Sequence, residues 1–266
     1  MNIQISAHNL WNDIKKIRAT GPLVHNITNY VVMNNTANAL LAIGASPVMA
    51  HAVEEVEDMV NIASALVINI GTLSHDWITA MKAAITAASK RSIPIVLDPV
   101  GAGATSYRPQ TCHELLAQAS PTIIRGNASE IMALTDSSVQ TKGVDSSTDQ
   151  SPLNAAQQLA DKHSCVVVVS GEIDLITDGE KCAYVRNGHA LMPKVTGLGC
   201  TATALTGAFS AVQTDPFLAA AHTMAVMGIC GEIATEKSSG PGSLQMNFID
   251  TLFQLNEQQI TDLLKG

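Results

Sequence analysis

Short runs of hydrophobic residues alternate along this chain with longer stretches of helical periodicity. Four runs are rich in Val, Ile and Leu, and they cover 65–71, 93–103, 122–127 and 165–171. Apolar runs of this length are typical of strands that are buried on both faces of a parallel sheet. The intervening stretches repeat their apolar positions every three or four residues, which predicts helices at 9–19, 34–43, 75–90, 109–118 and 153–162, with another opening at 128.

The rest of the chain adds a hairpin and several late helices. The segment 173–188 predicts a hairpin with Asp178-Gly179 as its turn, and helices are predicted at 201–212, 216–236 and 243–264. The polar stretch 135–151 predicts a surface excursion. No linker divides residues 1–266, so we expect one domain with a three-layer α/β/α fold, in which helices cover both faces of a mostly parallel sheet.

Composition and charge narrow the range of functions. Hydrophobic residues make up 46% of the chain but aromatics only 3%, so the core should consist of Ala, Val, Ile, Leu and Met. The net charge of −8, without any basic cluster, argues against nucleic-acid binding. An anionic substrate would therefore need a local positive field or a bridging metal.

Targeting and redox signals favour a cytoplasmic protein. Residues 1–16 lack the apolar core of a signal peptide, and no apolar run approaches the roughly 20 residues of a membrane helix. The five cysteines are scattered without metal-binding spacing, and their odd number is expected for reduced thiols. We therefore expect no membrane partner.

The segment TGLGC at 196–200 places two glycines and a cysteine just before a predicted helix. A helix start presents unpaired N–H groups and the positive end of the helix dipole, so Gly197 and Gly199 could let a phosphate approach the backbone. In that first turn, the thiolate of Cys200 would also be favoured. A glycine turn that caps a core helix, with Cys200 as a small buried residue, explains the segment equally well.

Polar residues also stand where the predicted strands end. Asp98 leaves the second run, Arg125 the third and Ser170 the fourth. Ligands of open parallel sheets bind at this edge, where a carboxylate can hold Mg²⁺ and an arginine can pair with phosphate. Asp98 could instead form a turn and Arg125 could be a solvated surface charge, but their coincidence at successive strand ends favours a functional role.

Three further features leave alternatives open. Asn127 and Glu130 have the spacing of a capping box, and this spacing alone favours a helix cap over a metal ligand. The stretch HNITN at 25–29, which contains Asn26, predicts a loop that either binds a polar substrate or forms ordinary turns. Met49 could line an apolar ring pocket, although such a methionine is more often part of the core.

Common nucleotide-binding motifs fit poorly. The pattern at 197–202 nearly matches the dinucleotide fingerprint, but the residues that follow predict a helix rather than the required second strand. A Walker A sequence is absent as well. Any use of ATP would therefore need another architecture.

Several motifs taken together resemble the hydroxyethylthiazole kinase family. They are VHNITN at 24–29, ASPVM at 45–49, LDPVGAG at 97–103, RGN with the following Glu130 at 125–130, VTGLGCT at 195–201, and GPGS followed by FID at 240–250. The resemblance implies a ribokinase-like fold. It also implies phosphorylation of the primary hydroxyl of 4-methyl-5-(2-hydroxyethyl)thiazole by ATP and Mg²⁺, in thiamine biosynthesis and salvage.

The same resemblance implies roles for individual residues. Met49, Gly197 and Asn26 would contact the thiazole, Arg125, Ser170 and Gly199 would contact ATP, and Asp98 and Glu130 would serve the metal and the phosphates. Cys200 would lie beside the attacking hydroxyl, either as a base or as part of the pocket wall. Homotrimers with active sites between subunits are implied too. The alternatives are a kinase for another small alcohol, such as hydroxymethylpyrimidine, and a non-catalytic nucleotide or thiazole sensor.

Overall fold

The computed structural model describes residues 2–135 and 151–265. The strands are β1 (Leu23–Ile27), β2 (Ser46–Val48), β3 (Ala65–Asn69), β4 (Ile95–Asp98), β5 (Ile123–Asn127), β6 (Val166–Ser170), β7 (Asp174–Thr177) and β8 (Cys182–Val185). The helices are α1 (Ala7–Thr20), α2 (Met33–Ile43), α3 (Val56–Ile62), α4 (His75–Arg91), α5 (Tyr107–Leu116), α6 (Ala128–Thr135), α7 (Pro152–His163), α8 (Leu198–Ser210), α9 (Pro216–Glu236), α10 (Pro241–Gln254) and α11 (Glu257–Leu263).

All these strands belong to one sheet, in the order β2-β1-β3-β4-β5-β6-β7-β8. Every neighbouring pair from β2 to β6 is parallel, whereas β7 and β8 are antiparallel and form the predicted hairpin. Parallel neighbours need a crossover connection, and the intervening helices provide it. The carboxyl ends of the parallel strands therefore meet at one edge of the sheet.

Successive side chains along the strands alternate between two separate cores. Val67 and Val96 pack against the helices α1, α2 and α8 to α11, whereas Leu66 and Leu97 pack against α3 to α7. Because helices cover both faces of the sheet, the predicted three-layer arrangement is confirmed.

Helix α9 is long and apolar enough to cross a membrane by composition alone. However, 89% of its apolar window is buried inside the fold, so it serves as a core helix. It begins as its sequence predicts, with Pro216 in the first turn and the Asp215 carboxylate accepting a hydrogen bond from the Phe217 N–H at 2.9 Å.

The structure corrects the predicted elements in three places. HNITN is a loop only in part, because residues 25–27 complete β1 between β2 and β3, and residues 28 and 29 follow the strand without regular structure. The sequence does not predict β2 or α3, since three and seven residues are too few to show a clear period. The predicted helix 243–264 is two helices, because the chain turns at Leu255 and the Asn256 side chain caps α11. Residues 136–150 of the polar stretch lie outside the described part of the chain.

Candidate active site at the strand ends beneath helix α8

Polar side chains occupy the carboxyl halves of neighbouring strands on the face that α8 covers, with Arg125 two residues before the end of its strand. They are Asn69 on β3, Asp98 on β4, Arg125 on β5 and Ser170 on β6. In each strand, the residue two positions earlier belongs to the hydrophobic core of that face. These core residues are Val67, Val96, Ile123 and Val168. Because residues two apart on a strand share a face, the period of the sheet delivers all four side chains to one place.

Asp98 is the centre of a hydrogen-bonded network. Its Oδ2 accepts hydrogen bonds from Asn69 Nδ2 at 2.8 Å and from the Thr203 hydroxyl at 2.7 Å. Within the described residues, nothing donates to its Oδ1. Burial raises the pKa of Asp98 to about 6, even though Arg125 and the two hydrogen bonds favour the charged form. Asp98 therefore has one oxygen fixed by two donors and one oxygen available to a ligand.

Arg125 is a buried cation rather than a solvated surface charge, with only 7% of the residue exposed. Its Nη2 donates to the Ser170 hydroxyl at 3.0 Å and its Nη1 donates to Thr203 at 3.4 Å. The distance from Nη1 to Asp98 Oδ2 is 3.9 Å, and Nε has no partner among the described residues. Two guanidinium nitrogens are thus fixed by neutral hydroxyls beside a carboxylate.

The first turn of α8 lies directly over this guanidinium. Gly197 caps the helix with φ 86°, and the first hydrogen bond of the helix runs from Thr201 N–H to Gly197 O at 2.8 Å. The N–H groups of 198–200 precede that bond and remain available to an anion. A Cβ atom built on Gly199 would lie 3.4 Å from Arg125 Nη1, an ordinary contact distance, so this turn of the backbone lies close to the cation. The helix begins at Leu198, slightly before the predicted start.

Cys200 faces the same network from the first turn of α8. Asn29 Nδ2 approaches Cys200 Sγ at 3.4 Å and also donates to Asn69 Oδ1 at 2.9 Å. Burial raises the pKa of the Cys200 thiol, and the nearby Asp98 carboxylate raises it further. The expected preference for the thiolate is therefore wrong for this environment, because desolvation and a neighbouring anion outweigh the favourable groups.

Glu130 forms the capping box that its spacing predicts. Its Oε2 accepts a hydrogen bond from the Asn127 N–H at 2.8 Å, and Asn127 Oδ1 accepts one from the Glu130 N–H at 3.0 Å. Its other oxygen, Oε1, accepts a hydrogen bond from Gly101 N–H at 2.8 Å. Glu130 thus ties the start of α6 to the loop that follows Asp98.

The carboxylates of this site fit a hydrated Mg²⁺ ion that takes its other ligands from a phosphate group. Among the described residues, no group of three or more His, Cys, Asp or Glu side chains could hold a metal. Mg²⁺ usually keeps several waters and takes phosphate oxygens, so one or two carboxylates suffice. Asp98 has one oxygen that accepts no hydrogen bond from the described residues. The carboxylate of Glu130 lies close enough for its negative charge to raise the pKa of Asp98.

The described contacts do not connect Met49 and Asn26 to this network. Met49 is half-buried after the edge strand β2, and its carbonyl contacts the His51 ring at 3.3 Å. Asn26 is fully buried, its Nδ2 donates to Val24 O at 2.9 Å, and its Oδ1 has no partner in the described part of the chain. From the same HNITN segment, it is Asn29 that faces Cys200.

Sequence reasoning missed Asn69 and Thr203, and it included Asn29 only as one polar residue of the HNITN stretch, without a specific role. Asn69 could have been found, because a polar residue near the end of the apolar run 65–71 stands at a predicted strand end. Thr203 has no comparable local signal, since it lies within a buried helix that contains several other threonines.

The fold defines the class of protein. It is similar to a ribokinase-like superfamily protein from Enterococcus faecalis V583, with a TM-score of 0.65 at 11% identity over 95% of this chain and 96% of that one. It is also similar to the pyridoxal kinase from Staphylococcus aureus, with a TM-score of 0.63 at 15% identity over 80% and 88% of the two chains. The chain has the ribokinase-like fold.

Closer relatives identify the family. The model of the hydroxyethylthiazole kinase family matches residues 14–258. The chain is 57% identical over 265 residues to a hydroxyethylthiazole kinase from Syntrophus aciditrophicus, covering 99% of this chain and 98% of that one. The structure of a hydroxyethylthiazole kinase protein from Pyrococcus horikoshii OT3 superposes with a TM-score of 0.90 at 42% identity, covering 97% and 98% of the two chains. The chain belongs to the hydroxyethylthiazole kinase family.

Proposed function

We propose that this chain transfers the γ-phosphoryl group of ATP to the primary hydroxyl of 4-methyl-5-(2-hydroxyethyl)thiazole, in thiamine biosynthesis and salvage. The observation that carries this proposal is the buried pair of Arg125 and Asp98 directly beneath the glycine-rich start of α8. Membership of the hydroxyethylthiazole kinase family supports the choice of alcohol.

The positively charged groups of the site indicate where ATP would bind. Arg125, Ser170 and Gly199 would contact ATP, and the N–H groups of the first turn of α8 would receive the γ-phosphoryl group. Phosphoryl transfer has a loose transition state, so positioning and charge stabilisation supply most of the catalysis. A fixed cation and a fixed set of N–H donors suit that requirement, because neither has to reorganise during the reaction.

Asp98 and Glu130 would hold the magnesium–phosphate region. When bound, Mg²⁺ neutralises charge on the triphosphate. The chain's own contribution is to keep Asp98 Oδ1 free while Asn69 and Thr203 fix the other oxygen. Glu130 contributes by holding the loop after β4 through Gly101.

The alcohol would bind beside the start of α8. Met49, Gly197 and Asn26 are the residues proposed for the thiazole, and Cys200 would lie beside the hydroxyl. In the reaction, the hydroxyl oxygen bonds to the γ-phosphorus, the bond from that phosphorus to the β–γ bridging oxygen breaks, ADP leaves, and the hydroxyl proton passes to a phosphate oxygen or to water. Because the loose transition state lets the hydroxyl proton leave late, a protonated Cys200 can shape the pocket without acting as a base.

We also propose a cytoplasmic, single-domain protein of residues 1–266 that assembles as a homotrimer, with active sites between subunits. Exposed apolar side chains favour self-association, and they include Tyr30, Val31, Leu41, Ile62, Met246 and Phe253. Light scattering coupled to size-exclusion chromatography should give three times the mass of 27.9 kDa. A monomer at micromolar concentration would contradict the assembly.

The deciding experiment is a coupled ADP assay with Mg²⁺ and a panel of thiazole, pyrimidine and sugar alcohols. Wild-type protein should release ADP with the thiazole alcohol and not with the pyrimidine alcohol, and Asp98→Asn should be much slower. ADP release with hydroxymethylpyrimidine instead would favour a different kinase of the same fold. Tight binding of ATP or thiazole without Mg²⁺-dependent turnover would favour a sensor.

A further inference from the structure

We propose that Thr203 is a positioning residue, whose hydroxyl keeps Arg125 and Asp98 apart so that both stay available to the nucleotide. This inference rests on the proposed function for its use of ATP. Thr203 is fully buried and lies one turn into α8, behind the backbone that would receive the phosphate.

The direction of the Thr203 hydroxyl is unusual for a helix. A threonine inside a helix commonly donates to the carbonyl four residues earlier, as Thr206 does to Ala202 O at 2.8 Å and Thr223 does to Ala219 O at 2.8 Å. The hydroxyl of Thr203 lies 3.4 Å from the corresponding Gly199 O but only 2.7 Å from Asp98 Oδ2. Its single proton therefore goes to the carboxylate, since a short hydrogen bond to a charged acceptor is the stronger one.

The lone pairs of the same hydroxyl face the cation. Arg125 Nη1 donates to Thr203 Oγ1 at 3.4 Å, while the direct distance from Nη1 to Asp98 Oδ2 is 3.9 Å. Both charged side chains are almost fully buried, so their attraction is weakly screened. The hydroxyl therefore acts as a neutral bridge, without which the ion pair at 3.9 Å would shorten to a direct hydrogen bond.

Removing the Thr203 hydroxyl should shift Arg125 and so weaken the binding of ATP. Without Thr203 Oγ1, Asp98 loses one of its two donors and Arg125 Nη1 loses its acceptor. The guanidinium should then move toward the carboxylate and away from Ser170, whose hydroxyl now holds Nη2 at 3.0 Å. A cation that is paired with Asp98 is less available to the triphosphate, so ATP affinity should fall.

Two substitutions separate the hydroxyl from the packing of the side chain. Thr203→Val keeps the branched shape and removes the hydroxyl, whereas Thr203→Ser keeps the hydroxyl and removes the methyl group. Thr206→Val is the matched control, because Thr206 is equally buried in the same helix and donates only to its own helix backbone. The ATP dissociation constant is measured by calorimetry with Mg²⁺ and no alcohol, and KM for ATP and kcat are measured with the thiazole alcohol.

Thr203→Val should weaken ATP binding about tenfold or more, as expected if the displaced Arg125 guanidinium loses one hydrogen bond to the triphosphate. KM for ATP should rise accordingly, and Thr203→Ser and Thr206→Val should stay close to wild type. The proposal is wrong if Thr203→Val binds ATP like Thr206→Val, or if Thr203→Ser is as weak as Thr203→Val. If Thr203→Val does not fold, Thr203→Ala against Thr206→Ala makes the same comparison.

The binding measurement also separates this inference from the proposed function. A wild-type protein that binds ATP but does not phosphorylate the thiazole alcohol contradicts the proposed substrate, while the comparison of dissociation constants still decides the role of Thr203. A wild-type protein that binds no ATP overturns both.

Discussion

Replacing Gly197 with alanine should destabilise the start of α8 for two separable reasons. Its φ of 86° lies in the left-handed region, where a residue with a Cβ atom costs roughly 1–2 kcal/mol. The added Cβ would also lie 2.7 Å from Val32 Cγ1, inside the contact limit. Val32 is buried and β-branched, so it cannot swing away freely, and overpacking of this kind costs roughly 1–3 kcal/mol. The free energy of unfolding should therefore fall by about 2–5 kcal/mol in total.

Urea unfolding of the ligand-free protein, followed by circular dichroism at several protein concentrations, measures this loss. The double variant Gly197→Ala with Val32→Ala should recover the steric part, which a double-mutant cycle isolates as a coupling of about 1–3 kcal/mol. Gly199→Ala is the matched control, because its φ is not positive and its Cβ would make an ordinary contact at 3.4 Å with Arg125. The reasoning fails if Gly197→Ala is as stable as Gly199→Ala, or if the cycle shows no coupling with Val32.

Three further predictions test charges and the thiol. Burial raises the pKa of Asp174 to about 6, so the folded protein holds this proton more tightly and loses stability as pH rises from about 4 to 6. In the wild-type protein, this lowers the free energy of unfolding by up to about 3 kcal/mol between pH 4 and pH 7. Asp174→Asn keeps an acceptor for the Gly171 N–H but does not titrate, so urea unfolding at the two pH values should show that this loss is gone. The prediction is contradicted if the stability of the variant depends on pH as that of wild type does. Cys200→Ser should keep kcat within about tenfold of wild type at saturating substrates, because the thiol is held protonated; severe loss, with good turnover by Cys200→Asp, would instead indicate a base. Arg125→Lys should raise KM for ATP by about tenfold or more, since an ammonium cannot reproduce the guanidinium fork that binds Ser170, and an unchanged KM would exclude a role in nucleotide binding.

The central strands and most helices could be predicted from local patterns. Four of the seven residues in the run 165–171 are Val, and the structure has β6 at Val166–Ser170 because a strand covered on both faces favours consecutive apolar residues. The same argument fails for β2, whose three residues form a strand only because β1 lies beside them. The polar side chains of HNITN predict a loop, but residues 25–27 lie in β1, and the His25 ring contacts Ala50 O, a partner 25 residues away that no local pattern specifies.

The sequence determined which polar groups would stand at the strand ends and that Gly197 and Gly199 would open a helix. These features depend on a period of two residues in strands and on glycine at a helix start, so they are readable from neighbours in the chain. Only the tertiary structure decided what those groups do to one another. Thr203 reaches Asp98 across 105 positions of the chain, and burial beside that carboxylate keeps Cys200 a thiol. Hydrogen bonds and desolvation depend on distance in space, and that distance exists only once α8 is packed on the sheet.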